Sequence, residues 1–413
     1  MKKLFWIFIA SPVLFSARIW AQETVKDTVF LIPFADTVLL DEVVVKAHKT
    51  IPMNNRWSDL QPVDLVTVAG ANGNLYKALE TLPGTQIQGE SGRLLVRGGS
   101  SDETQTYIDG MHVLNPYTST AENIPARGRY SPFMFSGINL STGGHSQEYG
   151  EALSAVLPLE TKDNSRINKV GISPSTVGIG GGGNHAFRNA SLALNLDYQN
   201  LALYNKVYPG RIDFKKPYQM FSGATQFRYT PSGSSVFKIY VGYDRTDYSN
   251  YTDNNRYLFC LGENNVYLNS TFRTAISGGW EWFSGMAYSL FDRKVDGAVT
   301  EGDHWCEKQA ELHFKTKLSK KFHPTFRMDV GFESFLRWYE TRYSQVSVAD
   351  TKEISPTIEA VFGTVSYYPV KNLKAELSFR TEYASLARKI NFSPRLSFSY
   401  SWCDLVLSAT AGR

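Results

Sequence analysis

The sequence predicts a small α/β domain followed by an antiparallel transmembrane β-barrel. Three observations lead there. Near residue 166 the patterning changes from mixed helix and strand to strict two-residue alternation. The alternating segments are long, and short turns alternate with long polar loops between them. The chain opens with an export signal yet holds no later run of 18 apolar residues, so the mature protein has no spanning helix and is soluble in the periplasm, a surface protein or a membrane β-barrel.

The signal occupies residues 1–21. Lys2 and Lys3 supply the positive start, Leu4 to Phe15 the apolar stretch, and Ile19-Trp20-Ala21 the small residue before the cut. That apolar stretch is shorter than the ~20 residues a helical span needs. Its removal takes Lys2, Lys3 and Arg18 and no acid, so the net charge falls from +4 to +1. A near-neutral chain without a clustered basic face is not a nucleic-acid binder.

Residues 22–45 form a short leader ending in Leu40, Asp41, Glu42, Val43, Val44 and Val45. The β-branched run favours a strand but has no partner nearby. It reads either as an exposed extended segment or as the first strand of the domain that follows.

Residues 46–162 mix both periodicities. Asn74 is placed to cap a helix with Leu75, Ala78, Leu79 and Leu82 on one face, and Pro83-Gly84 stops it. Leu94 and Val96 alternate as a short strand. Asp109-Gly110, between Tyr107-Ile108 and His112-Val113, predicts a hairpin, because both residues tolerate positive φ. Gly137 to Leu140 and Ala155 to Thr161 read as further strands. Pro158 within the last predicts an edge or a bulge.

Residues 163–413 carry the alternation. Leu192, Leu194, Leu196 and Tyr198 oppose Asn195, Asp197 and Gln199. Phe237, Ile239 and Val241 oppose Lys238, Tyr240 and Asp244. Leu312, Phe314 and Leu318 oppose Glu311, His313 and Lys315. Outward apolar and inward polar faces suit a barrel in lipid. About twelve such strands are expected, with short turns at 319–323 and 369–372 and long loops at 200–217, 248–265 and 346–355. Trp280 and Trp282 fit an aromatic girdle.

Several patterns suggest chemistry and fail on context. Gly178 to Gly183 matches GxGxxG, but no βαβ unit surrounds it, so a glycine-rich hairpin turn is expected. The seven histidines show no ligand spacing, so no metal or cofactor is expected. No nucleophile or paired carboxylate set marks an enzyme. Cys260, Cys306 and Cys403 lack metal spacing; a Cys260–Cys306 disulfide across external loops stays open beside isolated thiols. Arg93, Arg97, Arg127 and Arg129 could tie the first domain to inward barrel acids, or be solvated surface charge.

One ordered series unites the two halves. It runs Leu82-Pro83-Gly84, Leu94-Leu95-Val96-Arg97-Gly98-Gly99, Tyr107-Ile108-Asp109-Gly110-Met111-His112-Val113, Ser141-Thr142-Gly143-Gly144 and Glu148-Tyr149-Gly150. It resembles the plug domain of TonB-dependent outer-membrane receptors, especially those of the Bacteroidetes type. The resemblance covers residues 40–162 and is only textural beyond them. It implies residence in the cell outer membrane, among its lipid, and energised import of a scarce ligand. Leu40 to Val45 would be offered to TonB and its inner-membrane energising complex as an added strand. Iron chelate, cobalamin, glycan and peptide all remain open as ligand, and a surface lipoprotein partner would favour the last two. A non-transporting outer-membrane receptor or adhesion barrel is the other reading.

Ligand contact is expected from the loop carrying His112, Asn115, Tyr117, Arg127, Arg129 and Tyr130, and plug–barrel contact from Arg93 and Arg97. Plugged transporters have about 22 strands, so the sequence is expected to be a fragment or broken gene lacking about ten strands.

Overall fold

The computed structural model describes residues 57–60, 65, 67–71, 73–86, 91–119, 126–162, 168–208, 213–251, 257–346, 348–370, 372–402 and 405–412. The signal, the leader with Leu40–Val45, and Cys403 lie outside them.

The N-terminal domain is built on β1 (Trp57–Leu60), α1 (Leu75–Leu79), β2 (Thr85–Gln86), β3 (Leu95–Val96), β4 (Thr104–Ile108), β5 (Met111–His112), β6 (Phe135–Ser141) and β7 (Ala155–Thr161). Five strands form one sheet in the order β1-β6-β7-β4-β5, with β4 and β7 parallel. The Asn74 side chain accepts the Tyr76 N–H and caps α1. Leu75, Tyr76, Ala78 and Leu79 share one buried cluster with Leu94, Ile108, Ile138 and Leu157, and that core runs on into Tyr240, Tyr267, Phe283 and Ala287 of the second sheet. Asp109 (φ 51°) and Gly110 (φ 83°) make the hairpin turn between β4 and β5.

Pro158 corrects the sequence reading. Its strand β7 is central, not an edge. The β6–β7 pairing steps from Ile138↔Leu159 to Ser141↔Val156, leaving Leu157 and Pro158 out of the ladder on that side. The residue without an N–H therefore sits where no donor is needed.

The second sheet is antiparallel and has 14 strands. They are β8 (Lys169–Ser175), β9 (Gly178–Ala186), β10 (Ala190–Asn200), β11 (Phe214–Ser232), β12 (Ser235–Tyr251), β13 (Leu258–Ile276), β14 (Trp280–Asp296), β15 (His304–His323), β16 (Phe326–Gln345), β17 (Val348–Ile354), β18 (Thr357–Val370), β19 (Leu373–Ala384), β20 (Lys389–Trp402) and β21 (Leu405–Gly412). A helix, α2 (Ala202–Val207), lies between β10 and β11. Among the described residues β8 and β21 are the sheet's two ends. Each neighbour pairs with the next in sequence, except that β17 folds back on the top of β16 while β18 pairs with its lower part.

The strand count corrects the expected twelve, for two reasons. The Gly178–Gly183 run is not a turn; it is the first six residues of β9, paired on both sides. A Cβ at Gly182 would lie 2.6 Å from the Leu194 carbonyl oxygen, and one at Gly183 2.6 Å from that of Lys169. Glycine is there for close approach of backbones. The second missed strand is β17, wholly exposed and therefore without alternation. The expected loop at 248–265 also shrinks, because β12 and β13 run to Tyr251 and from Leu258. Strands of 17–20 residues are well beyond the ~10 a bilayer needs, so β11 to β16 stand above the lipid at the long-loop end.

Burial in this sheet is inverted. Leu194, Met286, Phe314, Val330, Leu377 and Phe398 are exposed on the outer face, at 39–56%. Glu311, His313, Lys315 and Glu333 are almost fully buried on the inner face, against the N-terminal domain. A continuous apolar band of this extent is untenable in water and fits lipid. Cys260 and Cys306 are free thiols. They face Asp296 and Lys294 across opposite sides of β14, and two strand spacings, about 10 Å, exceed disulfide reach.

Candidate functional site

The inner face of β14 to β19 grips the plug through one connected set of charges. Its plug side is Glu148-Tyr149-Gly150-Glu151, next to the β4–β5 hairpin. Lys315 on β15 is fully buried and lies 3.2 Å from the Glu148 carboxylate. Its ammonium is boxed by the rings of Tyr107, Tyr149 and Phe362 at 5.7, 5.1 and 5.4 Å. Lys317 adds a second contact to Glu148 at 2.7 Å. Burial pushes the Glu148 carboxyl up, but the two lysines outweigh it and hold the group at about 2. Gly150 is required by closeness: a Cβ there would lie 2.6 Å from the Arg380 guanidinium carbon.

Above Lys315 the chain of contacts continues through two histidines. The His112 backbone N–H donates to His313 Nδ1 at 3.0 Å. That fixes the proton on His313 Nε2, which donates to Glu333 at 2.9 Å. Glu333 also receives Arg380 at 2.7 Å. His112 Nδ1 donates to Glu311 at 2.6 Å. Arg337 then binds Glu311 at 2.6 Å and the plug's Glu151 at 2.8 Å. Every buried charge here has an opposite partner, as a low-dielectric interior demands.

The other flank of the plug meets β12 and β13. Arg129 donates from Nε to Asp244 at 2.6 Å, and both side chains are almost wholly buried. Arg129 also reaches the Asn115 carbonyl at 2.6 Å. Tyr130 packs edge-on against Tyr240 and Tyr267, and Phe135 stacks on Tyr240. Ser119 donates to the Glu263 carboxylate. Lys238 lies 3.0 Å from Asp109.

Between plug and wall, near the long-loop ends of β14 to β16, is a cavity of about 450 Å³. The plug lines it with Arg93, Gln105, His112, Asn115, Tyr117 and Glu151. The wall adds Phe291, Arg293, Glu307, Gln309, Arg337 and Tyr339. Its cations are engaged: Arg293 with Glu263 at 3.0 Å, Arg337 with Glu311 and Glu151, and Arg93 over the Tyr117 ring at 5.6 Å.

The residues singled out in the sequence thus separate. His112, Asn115, Tyr117 and Arg93 line the cavity. Arg129 and Tyr130 lie deeper, against β12 and β13. Arg127 is partly buried, and its backbone N–H donates to Thr118 Oγ1 at 3.0 Å. Burial lowers the pKa of its guanidinium. Arg97 is exposed, in a turn at φ 53°; its backbone N–H donates to Gly84 O. Among the described residues no group of three His, Cys, Asp or Glu is placed to hold a metal. Sequence reasoning missed Glu148, Glu151, Lys315, Glu333, Arg337 and Arg380 as a set. Only their position on inward faces pointed to them.

A five-stranded α/β domain keyed by charge to the inner face of a lipid-facing sheet has the build of a plug seated in an outer-membrane barrel wall. The plug is of the TonB-dependent kind: residues 65–156 match the TonB-dependent receptor plug domain. Solved structures agree on the fold. The ferric enterobactin receptor of Pseudomonas aeruginosa superposes with a TM-score of 0.64 at 12% identity, over 86% of this chain and 61% of that one. The outer membrane transporter YddB of Escherichia coli gives 0.67 at 13%, over 84% and 59%. The copper transporter OprC gives 0.66 at 11%, over 86% and 64%. The chain therefore spans less than two thirds of the length of these structures. No curated protein matches the sequence significantly. Plug family, fold and the outward apolar band together put the chain in the outer membrane.

Proposed function

We propose that this chain serves a receptor that captures a scarce ligand outside the cell and admits it across the outer membrane, with energy relayed by TonB. The observation that carries the reading is the cavity of about 450 Å³ shared by plug and wall at the long-loop end. A pocket built from two bodies closes on a ligand only while the bodies stay seated, so binding and plug movement are coupled. The plug is seated by ion pairs and hydrogen bonds around a polar lumen, which a pull can exchange for water. The solved structures it resembles include a ferric enterobactin receptor and a copper transporter. Either ligand class enters here as a candidate, beside cobalamin, glycan and peptide.

TonB would take hold of Leu40 to Val45 as an added strand. The protein would bind and move its ligand without changing it, so no reaction is assigned. Deleting residues 40–45 should abolish uptake and leave surface binding intact. Uptake that survives the deletion would instead favour a receptor that does not transport. In the pocket, Asn115→Ala with Tyr117→Ala should weaken binding by tenfold or more, because each removes a polar or aromatic group from a desolvated wall. Unchanged binding by a correctly assembled double variant moves the ligand site elsewhere.

A further inference from the structure

The short-turn end of the wall carries a cation that the plug does not use. Lys320 on β15 follows Leu312, Phe314, Thr316 and Leu318 along the lipid face. Its register neighbours are Trp280 on β14 and Met328 on β16. Its ammonium lies 5.0 Å from the Trp280 ring centre and 4.9 Å from that of Phe322. Phe322 in turn packs on Trp280 and on Phe326, at 5.9 and 5.8 Å. Among the described residues no carboxylate lies within ion-pair distance of Lys320. The outward positions around it are Ile276, Trp280, Phe322, Phe326, Met328 and Tyr367, all apolar or aromatic.

This placement has a physical consequence. The apolar band ends at Lys320, and the plug-side entry of the wall and its short turns mark this end as periplasmic. An ammonium at that depth is stripped of part of its water by two rings. Ring faces compensate it by only about 1 kcal/mol each. At the edge of the apolar band it lies beside the headgroup layer, where the available counter-charge is lipid phosphate.

We propose that Lys320, held by Trp280 and Phe322, is a binding site for the headgroup of an anionic phospholipid in the periplasmic leaflet. The rings hold the ammonium at headgroup level, and the lipid's net charge supplies the missing partner. The site would keep a charged lipid at the foot of β14 to β16, directly outside the strands that carry the charge set gripping the plug.

Native mass spectrometry of the full chain, released from mixed micelles with equal phosphatidylglycerol and phosphatidylcholine, tests this. The protein should retain phosphatidylglycerol in preference. Lys320→Gln should cut that preference about fivefold, the factor for about 1 kcal/mol per basic residue at a charged leaflet. Lys320→Arg should preserve it. Lys352→Gln, on the exposed β17, should change nothing. Trp280→Leu keeps the charge and should give a smaller loss, about twofold. Heat-modifiable mobility checks that each variant is assembled; should Lys320→Gln fail it, the Trp280→Leu result decides. An unchanged preference in the deciding variant overturns the site, as does an equal loss in Lys352→Gln. Displacement of the lipid by inorganic phosphate would also overturn it, making the cage an anion site and not a lipid site.

Discussion

The plug is held on two flanks, and they are built differently. Toward β14–β19 it meets a continuous run of charges bridged by two histidines: Glu148, Lys315, Glu333, Arg380, His313, His112, Glu311, Arg337 and Glu151. Toward β12 and β13 it meets aromatic rings and two separate ion pairs, Arg129–Asp244 and Lys238–Asp109. The buried hydroxyls of Tyr130 and Tyr240 find no partner there among the described residues. Charges have directions and partners, so the first flank fixes the register of the plug against the wall. Rings fill space without that demand, so the second flank adds packing to a few separate polar contacts. A continuous polar run and ring packing with isolated pairs are divided between two sides of one small domain.

The sharpest test is Glu333→Ala. It leaves Lys315, Arg380 and His313 buried without their shared carboxylate, and should destabilise the seated plug by about 3–5 kcal/mol. Adding Arg380→Ala should cost much less than the sum of the two singles, because they share a partner. Midpoints of heat-modifiable mobility measure both. Additive losses would mean the run is a row of independent pairs.

Gly150→Ala comes next. The new methyl collides with the Arg380 guanidinium, at about 1–3 kcal/mol. Thermal midpoints of this variant beside Gly233→Ala, where a Cβ meets open space, give the contrast.

Acid should then separate the flanks. Glu148 is held at about 2, below its ordinary 4.5, so its contribution is complete above pH 4.5 and is lost as pH falls toward 2. Burial, aided by Arg395, lowers His145 from 6.5 to about 4, so its cost appears as pH falls below 6.5 toward 4. Each group loosens its side by at most about 1.4 kcal/mol per pH unit within its window. On the tyrosine flank burial pushes the Tyr130 hydroxyl up, out of this range. Hydrogen exchange followed from pH 7 to 3 should show residues 145–151 opening before residues 129–135. Simultaneous opening would erase the distinction.

The smallest effect is expected from Tyr240→Phe, which removes a hydroxyl without a partner and should shift stability by less than about 0.5 kcal/mol. A large loss would reveal an ordered water bound there.

Local signals in the sequence were sufficient for the plug and for most of the wall. Asn74 and Asp109-Gly110 act on their own backbones, so cap and turn were readable from neighbours. Alternation revealed the strands wherever one face meets lipid and the other the lumen. It failed where that contrast vanishes: in the Gly180–Gly183 stretch of β9 and in the fully exposed β17. It failed too in the upper part of β12, where Tyr248, Ser249 and Asn250 are buried in succession and the two faces do not differ. The site was less legible. His112 and Glu311 are 199 residues apart and meet only because β15 faces the plug in one particular register. A sequence says that Glu311 faces inward, but not what it faces. Arg129 illustrates the limit: its loop neighbours suggested a ligand contact, while its guanidinium lies against Asp244.

The glycines of β9 have a mechanical meaning. At Gly180 to Gly183 the wall is one backbone thick, with nothing projecting toward lipid or lumen. Bending a sheet is resisted mainly by crowding of side chains on its concave side, and here there are none to crowd. Any stress that curls these strands around the plug gathers along this seam, leaving the stiffer β11 to β16, with their tall side-chain stacks, to keep their shape.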